Sequence, residues 1–183
     1  MTDQLSRTDQ PVLAQGDPRL LDEPAAQALL GSSCLARLAY VTRDGSPRVV
    51  PTWFSWTGSH IVMVTYVAGP KAGIAHPARR IADLRADPRV AISIDTDGVP
   101  PTALQLRGRV EIEEVDGIAP EYAAAAPRYL GTEQAKALLA AVDQPGTRQA
   151  RIVLRPDWVG LIDFTTRLPS AQGGLRRAHR ADE

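Results

Sequence analysis

Two adjacent arginines, Arg79 and Arg80, are the side chains of this sequence best suited to hold a charged ligand. They stand in AHPARRIADLRA, where Pro77 suits the first turn of a helix and puts both guanidiniums near its start. A helix N-terminus is the positive end of the backbone dipole, so cations there are disfavoured. A bound phosphate reverses the sign, because exposed backbone N–H groups and guanidiniums then face one anion. The plainer reading is a solvated basic turn with Arg79 paired to Asp83, one helical turn on. The second cluster is VVPTWFSW, with Trp53, Phe54 and Trp56 beside Pro51. A flat aromatic ligand can lie along such a strand, held by main-chain N–H and C=O groups. Ordinary core packing is the plainer account of the same residues.

Other chemistries lack their signatures. The sequence contains no P-loop, no G-x-G-x-x-G after a strand and no G-x-S-x-G elbow. Cys34 is the single cysteine, so an internal disulfide and C-x-x-C spacings are ruled out, and it reads as a small buried strand residue. His60, His76 and His179 lie far apart and form no metal-ligand spacing, so neither a metal site nor a catalytic acid–base constellation is expected. Twenty-one Lys plus Arg balance 21 Asp plus Glu, which argues against a nucleic-acid clamp and against a polybasic membrane binder. Aromatic residues make up 5% of the chain, too few for a platform that stacks single-stranded bases. The N-terminus has no apolar signal region and no apolar run approaches membrane-spanning length, so the expected setting is the cytoplasm.

The elements that must position these residues follow from turn chemistry and period. The 183 residues suit one domain with tails. Residues 1–18 have no helical or strand period and read as a flexible arm; residues 171–183, AQGGLRRAHRADE, read as a flexible tail. Within the body, 19–170, LLDEPAAQALLG predicts a short helix that stops at Gly31. CLARLAYVT, RVVPTWFSW and HIVMVTY read as a strand meander, with Asp44-Gly45 as its first hairpin turn. Pro51 cannot donate a ladder bond, which implies an edge, a bulge or a barrel corner. ARRIADLRA predicts a short helix, RVAISIDTD a fourth strand and TALQLRGRVEIEEV a long fifth. Residues 119–142 read as alanine-rich helix broken near Pro127 and Gly131; ARIVLRPDWVGLIDF reads as two strands around a Pro-Asp turn. The sum is an α+β chain on an antiparallel sheet of six or seven strands, closed into a barrel that removes its edges.

In their order, RDGSPRVVPTWFSW, IVMVTY and RRIADLRADPRVAISID resemble the pyridoxamine 5′-phosphate oxidase-like family of FMN-binding split β-barrels. The resemblance covers about Leu29 to Glu114, and RIVLRPDWVGLIDF is similar to the family's last strands. It implies FMN as cofactor, with Val49, Val50, Pro51, Thr52 and Trp53 along the isoalloxazine, mostly through backbone atoms. It implies that Thr65 and Tyr66 meet the ribityl-phosphate region and that Arg79 and Arg80 bind the phosphate. It further implies a homodimer whose two cofactor sites are each built from both chains. The loop from Val67 to Ala78 is long and carries Lys71, which resembles branches that bind the deazaflavin coenzyme F420 with its longer anionic tail. The implied activity is hydride transfer between cofactor and a small organic substrate; the alternative is a non-catalytic flavin carrier of the same fold. The cofactor carries the hard chemistry in either redox reading, so no catalytic side chain is required.

Overall fold

The computed structural model describes residues 13–69, 78–164, 167–169 and 175–177. A 3-10 turn at Pro18–Asp22 leads into α1, Pro24–Gly31. Four strands follow: β1 Ala36–Val41, β2 Pro47–Thr52, β3 Phe54–Trp56 and β4 Ile61–Ala68. After α2, Arg79–Ala86, come β5, Arg89–Asp95, and the long β6, Thr102–Asp116. Two helices, α3 Pro120–Leu130 and α4 Thr132–Val142, precede β7, Arg148–Asp163. Two three-residue strands end the described chain, β8 Arg167–Pro169 and β9 Leu175–Arg177.

The strands pair in the order β2-β1-β5-β6-β7-β4-β3, all antiparallel, with β8 on β7 and β9 on β8. The two ends of that path are neighbours in the chain, since β2 stops at Thr52 and β3 starts at Phe54. One stretch of backbone therefore pairs with β1 through its first half and with β4 through its second, and Trp53 is the corner where it switches. This closes the sheet as an α+β split barrel, and it puts Pro51 on an edge strand two residues before that corner, where no ladder donor is missed.

Alternation along the strands sorts the side chains. Ile61, Met63 and Val67 of β4 share one buried core with Leu104, Leu106 and Val110 of β6 and with Ile152, Leu154, Val159 and Leu161 of β7. Each fully buried Leu or Ile contributes roughly 1.5–3 kcal/mol of apolar transfer. Among the described residues, no helix is long and apolar enough to cross a membrane.

The predicted β1–β2 hairpin forms as its turn chemistry requires. Gly45 has φ +84°, its N–H donates to Thr42 O at 2.9 Å, and Tyr40 stands opposite Arg48. The Asp44 carboxylate accepts from the Thr42 hydroxyl and from Ser46 N, which holds its carboxyl down to about 2.

The closing segment differs from its expectation. Pro156-Asp157 makes no turn; β7 is one strand of 16 residues. The register there runs Arg107 to Trp158 and Gly108 to Pro156, so Asp157 is an extra residue in a bulge. Gly108 permits it: with φ +159°, a Cβ there would lie 3.0 Å from Arg155 O and from the Leu154 side chain. The helical stretch breaks at Gly131, with φ +78°, and Pro127 stays inside α3 on its exposed side, where water can serve the carbonyl that loses its donor.

The two ends carry more structure than their unpatterned sequences suggest. Gly16 N donates to Val159 O at 2.7 Å, and the Gln15 amide donates to Leu161 O at 2.7 Å while accepting from Leu161 N at 2.9 Å. Residues 13–17 are thus docked on β7 by polar bonds, which leave no hydrophobic period to read. At the other end, β9 falls within the stretch read as a tail; three residues are too short for a period-2 signal.

Candidate cofactor site

Helix α2 begins at Arg79, and Ala78 before it offers no side-chain cap to its first amides. The two arginines diverge from there. Arg80 turns inward, and its Nη2 donates to the Thr65 hydroxyl of β4 at 2.8 Å. Thr65 is 6% exposed, a polar residue in the otherwise apolar inward row of β4. The Arg80 Nε is buried and has no hydrogen-bond partner among the described residues. Burial pulls the Arg80 pKa down from its ordinary value, and the nearby Tyr40 hydroxyl pushes the other way.

Arg79 is exposed and lines an open cleft of about 690 Å³ with Tyr40, Arg48, Val49 and Val50. The plain pairing of Arg79 with Asp83 does not form. Asp83, 8% exposed, is taken by Arg43, whose Nε lies 3.4 Å from its carboxylate. Among the described residues Arg79 has no ion pair, and the cleft, lined by Arg43, Arg48 and Arg79 against Asp44 and Asp83, carries a small excess of positive charge beside uncapped helix amides. That arrangement attracts an anion.

The structure therefore brings Arg79 together with Val49 and Val50, and Arg80 with Thr65. Pro51 and Thr52 continue β2 toward the corner, Pro51 exposed and Thr52 half-buried. The Trp53 and Tyr66 side chains belong to a different group, under α3. The Trp53 ring lies parallel to Tyr129 at 5.0 Å between centroids and stacks on Tyr122 at 5.7 Å, while Tyr66 meets Tyr122 edge-on at 5.7 Å. Burial raises the pKa of the Tyr66 hydroxyl, and the neighbouring Tyr122 hydroxyl adds to the rise. Lys71 and Pro77 lie outside the described residues. Among the described residues no cluster of His, Cys, Asp or Glu could hold a metal ion.

Reading the sequence alone missed Tyr40 and Arg48. Their signal was the tight Asp44-Gly45 turn, because its register sets residue 40 against residue 48 and delivers both to the cleft. It also missed Arg128 and Tyr129, for which no local signal exists: their partners Leu30, Cys34 and Phe54 are remote in sequence.

Fold and site together define a split barrel with an arginine-bearing cleft between the β1–β2 hairpin and α2. The sequence profile of the pyridoxamine 5′-phosphate oxidase family matches residues 22–163, and the chain belongs to that family. Among solved structures, an F420 reductase is 26% identical, with 73% of this chain and 94% of that one covered at a TM-score of 0.50. A conserved hypothetical protein from Mycobacterium tuberculosis is 19% identical, covering 77% and 84% at 0.56. General stress protein 26 from Bacillus anthracis str. Sterne is 14% identical, covering 87% and 99% at 0.52. The last two likenesses speak to the fold alone. The search of curated proteins returned no match.

Proposed function

We propose that this chain is a flavin- or deazaflavin-dependent oxidoreductase that moves a hydride between a phosphorylated cofactor, FMN or F420, and a small organic substrate. The observation that carries the reading is the donor set at the start of α2. Arg80 is drawn into the barrel and the Thr65 hydroxyl sits beside it; among the described residues, the Arg80 Nε has no partner and Arg79 has no ion pair. These donors fit a phosphate, an anion with several acceptor oxygens and a preference for planar guanidiniums. Either cofactor presents such a group.

In this reading Arg79, Arg80 and Thr65 hold the phosphate. The backbone of Val49 to Trp53 runs along the ring, with the Val49 and Val50 side chains forming the wall of the cleft. β2 suits that task, since among the described residues it pairs only with β1 and its other edge is open. Trp53 takes part through its backbone, its ring being stacked under α3. The bound ring supplies the hydride chemistry. The protein binds, orients and excludes water. Within this reading, the 26% identity to an F420 reductase supports the deazaflavin.

The same reading includes a homodimer with its cofactor sites at the interface. In support, Val49 is 64% and Val41 41% exposed, and a depression of about 370 Å³ crosses the outer face of β2, β1, β5 and β6 beside them. Apolar exposure of this kind on a sheet face suits a second copy. The experiment that separates an enzyme from a carrier loads the protein with each cofactor, adds a nicotinamide donor anaerobically, then adds an acceptor. Reduction followed by reoxidation over many turnovers is expected. Tight binding without turnover across a panel of donors and acceptors would leave a carrier.

A further inference from the structure

We propose that Arg128 and Tyr129 of α3 are positioning residues for the cofactor strand, fixing the corner at Trp53 through which β2 passes into β3. This rests on reading β2 as the strand that bears the ring. The corner needs an outside support. Trp53 lies in neither strand, and the ladder of β1 ends at Thr52 while that of β4 begins at Phe54. No backbone ladder holds the residue between them.

Two side chains supply what the ladders lack. The Tyr129 hydroxyl accepts from Phe54 N at 3.3 Å and from Arg128 Nη2 at 3.3 Å, and donates to Cys34 O at 3.2 Å. Its proton and both lone pairs are used, so its position is fully determined. Arg128 Nη1 donates to Leu30 O at 2.9 Å, and Nη2 also donates to Phe54 O. The guanidinium lies 4.6 Å over the Phe54 ring. Among the described residues it has no carboxylate partner. Its two Nη atoms are spent on carbonyls of two other segments while its buried Nε has no partner among the described residues, so this half-buried cation fixes geometry rather than balances charge. The Tyr129 ring adds the parallel stack on Trp53.

Helix α3 is itself tied to the barrel. Arg151 of β7 grips Glu121 with two bonds, Nε at 3.0 Å and Nη2 at 2.5 Å, and the Ser55 hydroxyl donates to Glu121 O at 2.8 Å. The helix is a fixed brace from which the corner hangs. Val49 to Thr52 lie within four residues of Trp53, so the direction in which the strand leaves the corner sets where its backbone meets a ring.

The test uses the full chain with FMN and with F420. Tyr129→Phe keeps the ring against Trp53 and removes the hydroxyl. Arg128→Lys keeps the charge and loses the fork. Ala135→Gly loosens α4 without touching the corner and serves as a destabilised comparison. Both corner variants are expected to weaken cofactor binding on the order of tenfold and to change the absorbance and fluorescence of the bound ring. Ala135→Gly is expected to lower the apo-protein's melting temperature with affinity and spectrum unchanged. If Tyr129→Phe lowers the melting temperature while affinity and spectrum stay at wild-type values, the inference is overturned. Should Arg128→Lys fail to fold, Tyr129→Phe decides alone. A wild-type chain that binds neither cofactor overturns the functional reading and this inference together; wild-type binding with an unaffected Tyr129→Phe overturns the inference only.

Discussion

Replacing Arg80 by Ala separates a phosphate site from a structural arginine, because the two predict opposite patterns. Without cofactor, the substitution removes one bond, Arg80 Nη2 to Thr65 Oγ1 at 2.8 Å, a loss of about 0.5–1.5 kcal/mol. It also removes the buried Nε, which has no partner among the described residues and whose desolvation costs about 1–3 kcal/mol. A cation leaves the positive end of α2 as well, which favours the variant by about 0.3–1 kcal/mol. The Thr65 hydroxyl, 6% exposed, loses its partner at a further cost of about 1–3 kcal/mol, so gains and losses are of similar size and the apo-protein should keep about its wild-type stability. With cofactor, the lost charge-assisted bond is worth about 1.5–3 kcal/mol, a factor of roughly 10 to 150 in affinity. Ligand at 100 times the wild-type Kd stabilises the wild type by about 2.7 kcal/mol; a variant bound 100-fold more weakly gains only about 0.4 kcal/mol. Titration calorimetry with FMN and F420, and thermal melts with and without cofactor on the same samples, read both quantities. Unchanged affinity together with a lower apo melting temperature would refute the assignment.

Two further outcomes test the scaffold. Gly108→Ala puts a Cβ 3.0 Å from Arg155 O inside the β6–β7 bulge and should cost roughly 1–3 kcal/mol in urea melts; a neutral result would mean the bulge is not held as described. The Asp44 carboxyl, held at about 2 by the Thr42 hydroxyl and Ser46 N, stabilises the hairpin fully above its ordinary value of 3.8 and loses that contribution as pH falls through 2. Melts of wild type and Asp44→Asn between pH 5 and 2 should therefore converge on acidification, and parallel curves would contradict the bonding.

The strands were legible because their signals are local. Alternation along IVMVTY and the Asp44-Gly45 turn needed no knowledge of the rest of the chain, and Pro51 pointed to a corner that the structure has two residues later. What resisted reading is non-local. Pro156-Asp157 reads as a turn by composition, and only Gly108, remote in sequence, makes it a bulge. The plainer alternative pairs Asp83 with Arg79 at helical spacing, yet Arg43 from the β1–β2 turn takes Asp83. The arginine pair was visible as a pair, but its division of labour was not. Which of the two faces Thr65 depends on how α2 sits against β4. The brace formed by α3 was the least accessible, since Arg128 and Tyr129 bond to backbone groups that carry no residue identity.

The most direct measurement is a fluorescence titration of the purified chain with FMN, with riboflavin, with F420 and with the deazaflavin chromophore lacking its phosphate-bearing tail. The account expects at least one phosphorylated cofactor to bind, and its phosphate-free counterpart to bind at least about tenfold more weakly, the equivalent of one lost charge-assisted bond. Equal affinity for the phosphorylated and phosphate-free forms, or no binding by any of the four, would contradict it.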